Sequence, residues 1–415
     1  MNKVNSMNRL TRIPDQLVAL WKDHRYTGIV FLCCLSQLTC IMAMKSTISL
    51  FVVEVGGSTL LAGILSTLIV LSAMVIKPVV GTLLDKHGPH KLFLVVTILV
   101  ILAVLGHQVT LSIESVVFLV VSVMLVGLAH SSLSITEVPL FIKQATAKHQ
   151  EVYMINLVGF NTVMATAIAP TLSQSVLNRH GFHTLYVCLI CISVAGLCVF
   201  RIIARHLRGS FSEQLKESHY KQHSSANSVI KLFQKRIYSF LFIANLTWGM
   251  SNGTLLTFLI PFGKTIGINN MGLFFGLYSG VNIALRWIVP LFINRIGRRR
   301  VLLVSFVCLT ISTLLLARIE NVGTMILPAI LAGIGTSSIY TPIVSSALDV
   351  IPTECQMKGL GLFLASFEIG QGLASFIIGI SSQYMTYPQM FTIIGFFQLF
   401  GLICVYFCVP KRIGH

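Results

Sequence analysis

Five charged side chains fall inside long apolar segments of this chain: Lys45, Lys77, Glu137, Arg286 and Glu368. A charge at the centre of a bilayer costs about 3 kcal/mol or more, so an ionisable residue at that depth indicates a function in binding or proton transfer. Glu368, in SFEIGQGLASF, lies near the middle of its segment. A carboxylate that gives up its charge takes up a proton, so Glu368 is the first candidate for coupling proton flow to substrate movement. The alternative is a fixed ion pair or hydrogen bonds to a neighbouring helix.

Two residues of another apolar segment are further candidates for proton transfer. Glu137, in SSLSITEVPLF, could line a cavity or pair with Lys143. His130, beside Ser131 and Ser132, could relay protons or bind substrate, and an ordinary hydrogen bond is the alternative.

The basic residues indicate an anionic ligand or a gate. Lys45 begins the polar stretch KSTIS, which predicts that it faces a central cavity and favours an anionic substrate. The alternative is that its amine reaches the membrane surface along the helix. Lys77 and Arg286 lie near the inner ends of their segments, and we expect them to hold a gate by reaching water or by pairing with acids in loops.

Two other apolar segments are broken by small and polar residues, in NLTWGMSNGTLLTFLIPFG and AGIGTSSIYTPIVSS. A broken helix exposes backbone groups to a cavity or a ligand. Both stretches therefore predict cavity-lining residues, with close packing by small residues as the alternative. The candidates are Asn245, Asn252, Tyr340 and Thr341.

A membrane-embedded helical bundle must position these side chains. The chain has 415 residues, of which 55% are hydrophobic and 10% charged, and its mean hydropathy is +0.84, as in polytopic membrane proteins. Twelve apolar segments approach the roughly 20 residues that cross a bilayer. The sequence predicts an all-α membrane protein with 12 transmembrane helices in two six-helix pseudo-repeats and both termini in the cytoplasm. Its predicted parts are a cytoplasmic lead (1–26), a six-helix bundle (27–204), a basic cytoplasmic linker (205–236), a second six-helix bundle (237–409) and a cytoplasmic tail (410–415).

The net charge of +17 fits this topology. All but six of the 30 Lys and Arg residues lie in or next to segments predicted to be cytoplasmic, where they would meet anionic lipid headgroups. We therefore predict contact with the lipid bilayer and no nucleic acid partner. Clustered acid, base or nucleophile motifs and a Walker A loop are missing, which argues against an enzyme or a nucleotide-driven pump, and no cofactor is predicted. Cys188 and Cys191 lack a second pair of ligands, so no metal site is predicted.

A repeat divides the chain into two related halves. The stretch KPVVGTLLDKHGPHK, from Lys77 to Lys91, returns 209 residues later as RWIVPLFINRIGRRR, from Arg286 to Arg300. Both are polar and broken by glycine between apolar segments, so both must face water. Repeats of half a chain's length are typical of secondary transporters, whose substrate path lies where the halves meet.

The first of these stretches resembles a loop of the major facilitator superfamily, the one between its second and third helices. The matching residues are Gly81, Leu83, Asp85, Gly88, Lys91 and Leu94, whereas Pro89 and His90 depart from the pattern. The resemblance implies a monomeric transporter of a small molecule in which Asp85 docks on helix ends in one state and releases them in the other. It implies a gating motif made of Lys77, Gly81, Asp85, Lys86, Gly88 and Lys91, repeated as Arg286, Asn294, Arg295, Gly297 and Arg300.

The second half is similar to bacterial exporters of sugars and metabolites, some of whose relatives export carboxylate siderophores of staphylococci, the staphyloferrin type. The resemblance rests on LFFGLYSGVNIALRW and on the stretch from YTPIVSSALDV to FEIGQGL. The drug antiporters of the superfamily match less well. Val123 stands where they carry arginine, and Asn156, Ala165 and Ala169 stand at their glycine positions.

Together these features predict a multi-pass protein of the bacterial cell (cytoplasmic) membrane that exports a small organic molecule by alternating access, coupled to protons as an antiporter. A secreted anion such as a carboxylate siderophore is the preferred substrate, because basic residues outnumber acidic ones within the spans. The alternatives are a multidrug/proton antiporter for lipophilic drugs, an importer of sugars or organic acids and, from another class, a membrane enzyme or sensor.

Overall fold

The computed structural model describes residues 25–113, 115–142, 151–207, 231–268, 270–352 and 356–408, and in these residues the only regular structure is helical. The described part of the first half forms the helices α1 (Arg25–Glu54), α2 (Thr59–Ile113), α3 (Val116–Ile142) and α4 (Glu151–Leu207). A 3-10 turn (Lys231–Gln234) leads into the second half. The described residues of that half form α5 (Arg236–Thr265), α6 (Gly272–Ile296), α7 (Arg298–Leu316), α8 (Val322–Val350), α9 (Gln356–Ser381) and α10 (Tyr387–Cys408).

Glycines interrupt the two longest helices. The backbone is non-helical at Gly88 in α2 (φ 73°) and at Gly181 in α4 (φ 75°). Gly297, which matches Gly88 in the repeat, has φ 90° just before α7. Residues with side chains rarely adopt such angles, so these turns require glycine. The repeated glycine in the sequence therefore marks the same backbone turn in both halves.

Nine stretches of the described residues are long and apolar enough to cross a membrane, and α2 supplies two of them, Thr59–Leu84 and Lys86–Ile113. Large apolar side chains also project from the outer faces of the helices: Val75, Val117 and Phe407 are 77%, 72% and 70% exposed. A protein in water would bury such side chains, whereas the hydrocarbon of a bilayer accepts them. The predicted all-α membrane class is thus confirmed, while the count of twelve spans and the position of the termini stay predictions.

Small residues let the helices within each half approach closely. A Cβ atom added to Gly127 of α3 would lie 2.2 Å from the carbonyl oxygen of Ile69 in α2. In the second half, one added to Gly249 of α5 would lie 2.0 Å from the carbonyl oxygen of Phe367 in α9. Membrane helices associate by this kind of packing, because lipid is as apolar as their side chains.

Among the described residues, the two halves share a buried core at one end of the bundle. At the end that carries the 55–58 turn, one apolar cluster joins residues of the first half to Leu255, Ile268 and Phe274 of the second half. At the opposite end, the second half has a separate cluster around Tyr238, Leu302 and other residues of its own helices. The halves are therefore in close contact at the end with the 55–58 turn.

Candidate functional site

Several pairs of helices pack between the halves, and the two most extensive are α2 with α9 and α4 with α6. At the 55–58 end these pairs meet through backbone: Gly63 of α2 lies on Gly379 of α9, and Gly272 of α6 lies on Thr171 of α4. Fourteen residues farther along α2 and α6, about 21 Å at 1.5 Å per residue, lie Lys77 and Arg286. Charged side chains thus occupy the other end of both crossings.

Lys77 of α2 forms an ion pair with Glu368 of α9. Its Nζ lies 2.6 Å from Oε1 and 2.5 Å from Oε2 of the carboxylate. The side chains are 32% and 23% exposed, respectively. The sequence placed Lys77 at a gate, paired with a loop acid or reaching water, and offered a fixed ion pair as the alternative for Glu368. The structure brings the two residues together in a contact that links the halves.

Lys45 of α1 lines a small cavity between the halves. The other lining residues are Ser66, Ile69 and Val70 of α2, Gly253, Leu256 and Thr257 of α5, and Gln371 and Ser375 of α9. The cavity volume is about 20 Å³, which holds little more than one water molecule. Passage of a metabolite would therefore require the halves to move apart here. The carboxylate of Glu368 acts electrostatically on Lys45, so the ion pair and the cavity form one charged region.

Arg286 of α6 lies over Gly159 of α4. A Cβ atom added to Gly159 would lie 1.8 Å from one Nη atom of the guanidinium. Arg286 is partly buried and interacts electrostatically with Tyr340 of α8. It has no carboxylate partner or hydrogen bond within the described part of the chain. The two basic residues that the repeat relates therefore have different surroundings.

The weaker proton-transfer candidates lie apart from each other. His130 of α3 is partly buried, and the charges of both Lys45 and Lys77 act on it, which places it beside the charged region. Glu137 is buried within the first half, where it accepts a hydrogen bond from Asn161 Nδ2 of α4. Lys143, its possible partner in the sequence, lies outside the described residues.

The four polar candidates of the broken helices also differ in position. Asn245 is buried between α5 and α9, where its amide donates to the Phe363 carbonyl (3.0 Å) and to Ser366 Oγ (2.8 Å). Asn252 accepts a hydrogen bond of 2.7 Å from Gln371, a residue of the cavity lining. Tyr340 and Thr341 are exposed on α8, with Tyr340 beside Arg286. Of the four, Asn252 thus contacts the cavity lining, whereas Tyr340 lies beside Arg286.

The gating-motif residues lie at the ends of helices away from the 55–58 turn. Lys86, Lys91 and Arg300 are exposed. The side chains of Asp85, Asn294 and Arg295 lie outside the described part of the chain. Next to Arg300, Arg298 forms an ion pair of 2.5 Å with Asp349 of α8, which lies in the same half and joins no part of the other.

The sequence reasoning missed most polar residues of the cavity lining. Gln371 and Ser375 follow Glu368 by three and seven residues, which places them on the same face of α9. Ser66 precedes Lys77 by eleven residues, three helical turns along the same face of α2. Helical spacing from the two charged residues could therefore have identified these three. Thr257 has this spacing only to Lys264, which is exposed at the end of α5, so charge gave no signal of the cavity there.

Comparison with known proteins agrees with this architecture. The family model of the Major Facilitator Superfamily matches residues 27–297 and 271–414. Among curated proteins, the chain is 21% identical to the staphylopine export protein of Staphylococcus aureus over 86% of this chain and 89% of that protein. It is also 25% identical to an uncharacterized MFS-type transporter of Bacillus subtilis over 36% of this chain and 29% of that one.

Solved structures give the same fold. A POT family transporter in complex with a thioalcohol-conjugated peptide aligns with a TM-score of 0.73 at 12% identity, covering 92% of this chain and 96% of that one. A mutant nucleoside transporter aligns with a TM-score of 0.71 at 12% identity, covering 92% and 98%. At such identities the likeness concerns the fold alone. The family model, in contrast, spans almost the whole chain, which belongs to the major facilitator superfamily and is a multi-pass membrane transporter rather than an enzyme.

Proposed function

We propose that this transporter exports a small anionic organic molecule by alternating access and that protons drive the exchange. The observation that carries the proposal is the charged region between the halves. Among the described residues of this region and of the second helix crossing, Lys45, Lys77 and Arg286 are basic and Glu368 is acidic. This excess of positive charge favours a carboxylate-bearing substrate.

The charge balance argues against a lipophilic cation as the substrate. A cation would need a carboxylate at the interface that is not already paired. Glu368 is paired with Lys77, and Glu137 faces Asn161 inside the first half. The proposed substrate class is therefore a secreted organic acid, with a carboxylate siderophore as the preferred example.

The crossing ion pair supplies a means of proton coupling. Protonation of Glu368 removes the negative charge that holds Lys77, and so weakens a contact between the halves. Proton binding would thereby favour a state in which this end is open, and proton release would favour its closure. His130, close to Lys45 and Lys77, is the second candidate for carrying the proton.

The direction of transport rests on orientation and on one relative. In the predicted topology, with twelve spans and both termini in the cytoplasm, the 55–58 turn is external, so the structure has its outer end closed. The relative from Staphylococcus aureus is named an export protein, and alignment over 86% of this chain supports the same direction here. We place the protein in the cytoplasmic membrane of a bacterium, working as a monomer.

Deletion of the gene tests the substrate class. Cells grown without iron are compared with the parent strain by mass spectrometry of small acids inside and outside the cell. We expect an iron-chelating carboxylate to accumulate inside and fall outside. The intact gene and a Lys264→Ala variant, which alters an exposed lysine at the end of α5, should restore secretion to the parent level, whereas Lys45→Ala should fall short of it.

Membrane vesicles of inverted orientation test direction and coupling. Uptake of the identified acid into inverted vesicles, stimulated by an acidic interior, is the expected result for proton-driven export. Uptake by intact cells would instead identify an importer. Unchanged acid profiles, together with new sensitivity of the deletion strain to lipophilic cations, would replace the anion proposal with drug efflux.

A further inference from the structure

The internal repeat places Arg286 and Gly159 in the same relation as Lys77 and Glu368. Arg286 follows Lys77 by 209 residues, and Glu368 follows Gly159 by the same number. In each case a basic residue on one crossing helix faces the matched position on its partner: Lys77 on α2 faces α9, and Arg286 on α6 faces α4.

The opposite end of the interface confirms this register independently. Gly63 of α2 contacts Gly379 of α9, while Gly272 of α6, 209 residues after Gly63, contacts Thr171 of α4. Thr171 precedes Gly379 by 208 residues, so the two crossings superpose to within one residue. The pairing of Arg286 with Gly159 is therefore the structural twin of the pairing of Lys77 with Glu368.

The pair of Arg286 and Gly159 lacks the carboxylate that the pair of Lys77 and Glu368 has. Where Lys77 has the two oxygens of Glu368, Arg286 has a residue without a side chain, and among the described residues its guanidinium forms no ion pair or hydrogen bond. A partly buried guanidinium in an apolar helix is stabilised by a negative partner that offsets its desolvation. Among the described residues no such partner is bound to Arg286, so a carboxylate from another molecule could fill this position.

We propose that Arg286, beside Gly159 and Tyr340, is a binding site for a carboxylate group of the transported molecule. The guanidinium presents parallel N–H donors that match a carboxylate in two-point geometry. Gly159 contributes no side chain, which leaves the position of the missing acid open on the α4 side, and the exposed Tyr340 borders it on α8.

This inference rests on the proposed function and adds a consequence for mechanism. A bound carboxylate supplies the second contact between the halves, in the place that the repeat leaves vacant. The substrate would then link α6 to α4 as Glu368 links α9 to α2. Occupation of Arg286 by substrate and the charge of Glu368 would together decide whether this end closes.

The test measures binding of simple carboxylates to the purified full-length protein in nanodiscs of phosphatidylcholine. Succinate and citrate are the probes, and acetate and chloride at equal ionic strength are the references. We expect succinate or citrate to raise the unfolding temperature more than chloride does. In Arg286→Gln, apparent affinity should fall about 10- to 100-fold, the usual effect of losing a charge-assisted interaction. Arg318→Gln, at an exposed arginine beyond α7, should bind as the parent does.

A matched pair of variants at the twin position gives a second test. In Gly159→Glu the new carboxylate should pair with Arg286, abolish the response to citrate and raise the unfolding temperature. Gly159→Gln adds a side chain of the same size but no charge. The flexible side chain of Arg286 must move in both variants to make room. It should retain a measurable citrate response and show no such stabilisation.

Three outcomes would overturn the proposal: no carboxylate response in the parent protein, an undiminished response in Arg286→Gln, or equal effects of Glu and Gln at position 159. Stabilisation by phosphatidylglycerol that depends on Arg286, without a carboxylate response, would assign the site to a lipid headgroup and overturn it as well. The proposed function and this site can fail separately. If the secretion of an acid is unchanged in Arg286→Gln, the site is rejected and the exporter function stands. If binding depends on Arg286 but no transport occurs, the exporter function is rejected and the site stands.

Discussion

The two ends of the interface between the halves are held by different chemistry. At the 55–58 end, glycine backbones touch directly: a Cβ atom added to Gly63 would lie 2.5 Å from the Cα of Gly379. Hydrogen bonds to backbone carbonyls reinforce this end, such as that from Thr67 Oγ1 to Gly372 (2.9 Å). At the other end the contacts are made by long charged side chains, as between Lys77 and Glu368.

The difference means that the backbone contacts of the 55–58 end hold the halves together, whereas the contact between Lys77 and Glu368 responds to protons and anions. Backbone contacts between glycines depend on shape, and neither protons nor anions alter them. A lysine–carboxylate contact depends on the charge of both groups, so protons and competing anions act on it directly. The end with Lys77 and Glu368, the charged end, is therefore where protons and anions can change the equilibrium between the states of the transporter. The 55–58 end, the glycine end, is held by close backbone contacts, which must be broken when the halves move apart there.

A large side chain introduced at the glycine contacts of the 55–58 end should have the largest effect on the equilibrium between states. Gly63→Leu forces a side chain against the backbone of α9, and overpacking of about 1–3 kcal/mol corresponds to a shift of about 5- to 150-fold between states. We expect a cysteine introduced as Ser66→Cys in the cavity to become reactive towards an impermeant maleimide added on the side of the 55–58 turn, and transport to be lost.

A matched control isolates the contact from the added bulk. Gly276 also lies in a helix, but nothing lies within 4 Å of a Cβ atom added there. Gly276→Leu should leave both labelling and transport close to those of the parent. Equal labelling in the two leucine variants would show that the glycine contact does not hold this end closed.

The comparison also explains what the sequence could predict. Apolar segments, the repeat around Gly88 and Gly297 and the membrane class follow from composition and spacing, because these features are local. That Lys77 meets Glu368 does not follow, since nearly 300 residues separate them and only the crossing of α2 and α9 brings them together. The contact between Arg286 and Gly159 was equally hidden, because a glycine carries no chemical signal until its neighbour is known.

Neutralising the crossing pair should have the next largest effect. Glu368→Gln leaves Lys77 without its carboxylate, so the charged end should open more readily and transport should lose its response to a pH gradient. Transport at several pH values, with and without the gradient, measures this.

Reversal of the pair provides its control. Lys77→Glu with Glu368→Lys retains both charges and exchanges their positions, so the double variant should recover part of the closure that each single variant loses. If the double variant loses as much as the sum of the single losses, the two residues are not coupled, and the charged end is held by other contacts.

Removal of the cavity lysine should have a smaller effect that is confined to affinity. Lys45→Ala removes a positive charge that lines the cavity and that, among the described residues, forms no ion pair between the halves. We expect the KM for an anionic substrate to rise about tenfold, a loss near 1.4 kcal/mol, with little change in kcat. Lys45→Arg should retain most of the affinity. A fall in kcat at unchanged KM would instead assign Lys45 to the movement of the halves.

The smallest effect should come from the ion pair that does not cross between the halves. Arg298 and Asp349 approach to 2.5 Å, as closely as Lys77 and Glu368, but both belong to the second half and their side chains are 31% and 42% exposed. Solvent screens such a pair, so Asp349→Asn should lower stability by about 1 kcal/mol or less. Transport and its pH dependence should stay unchanged in membrane vesicles. Equal losses of pH response in Asp349→Asn and Glu368→Gln would mean that charge near this end matters irrespective of which helices it joins, and the distinction between a crossing and a local ion pair would fail.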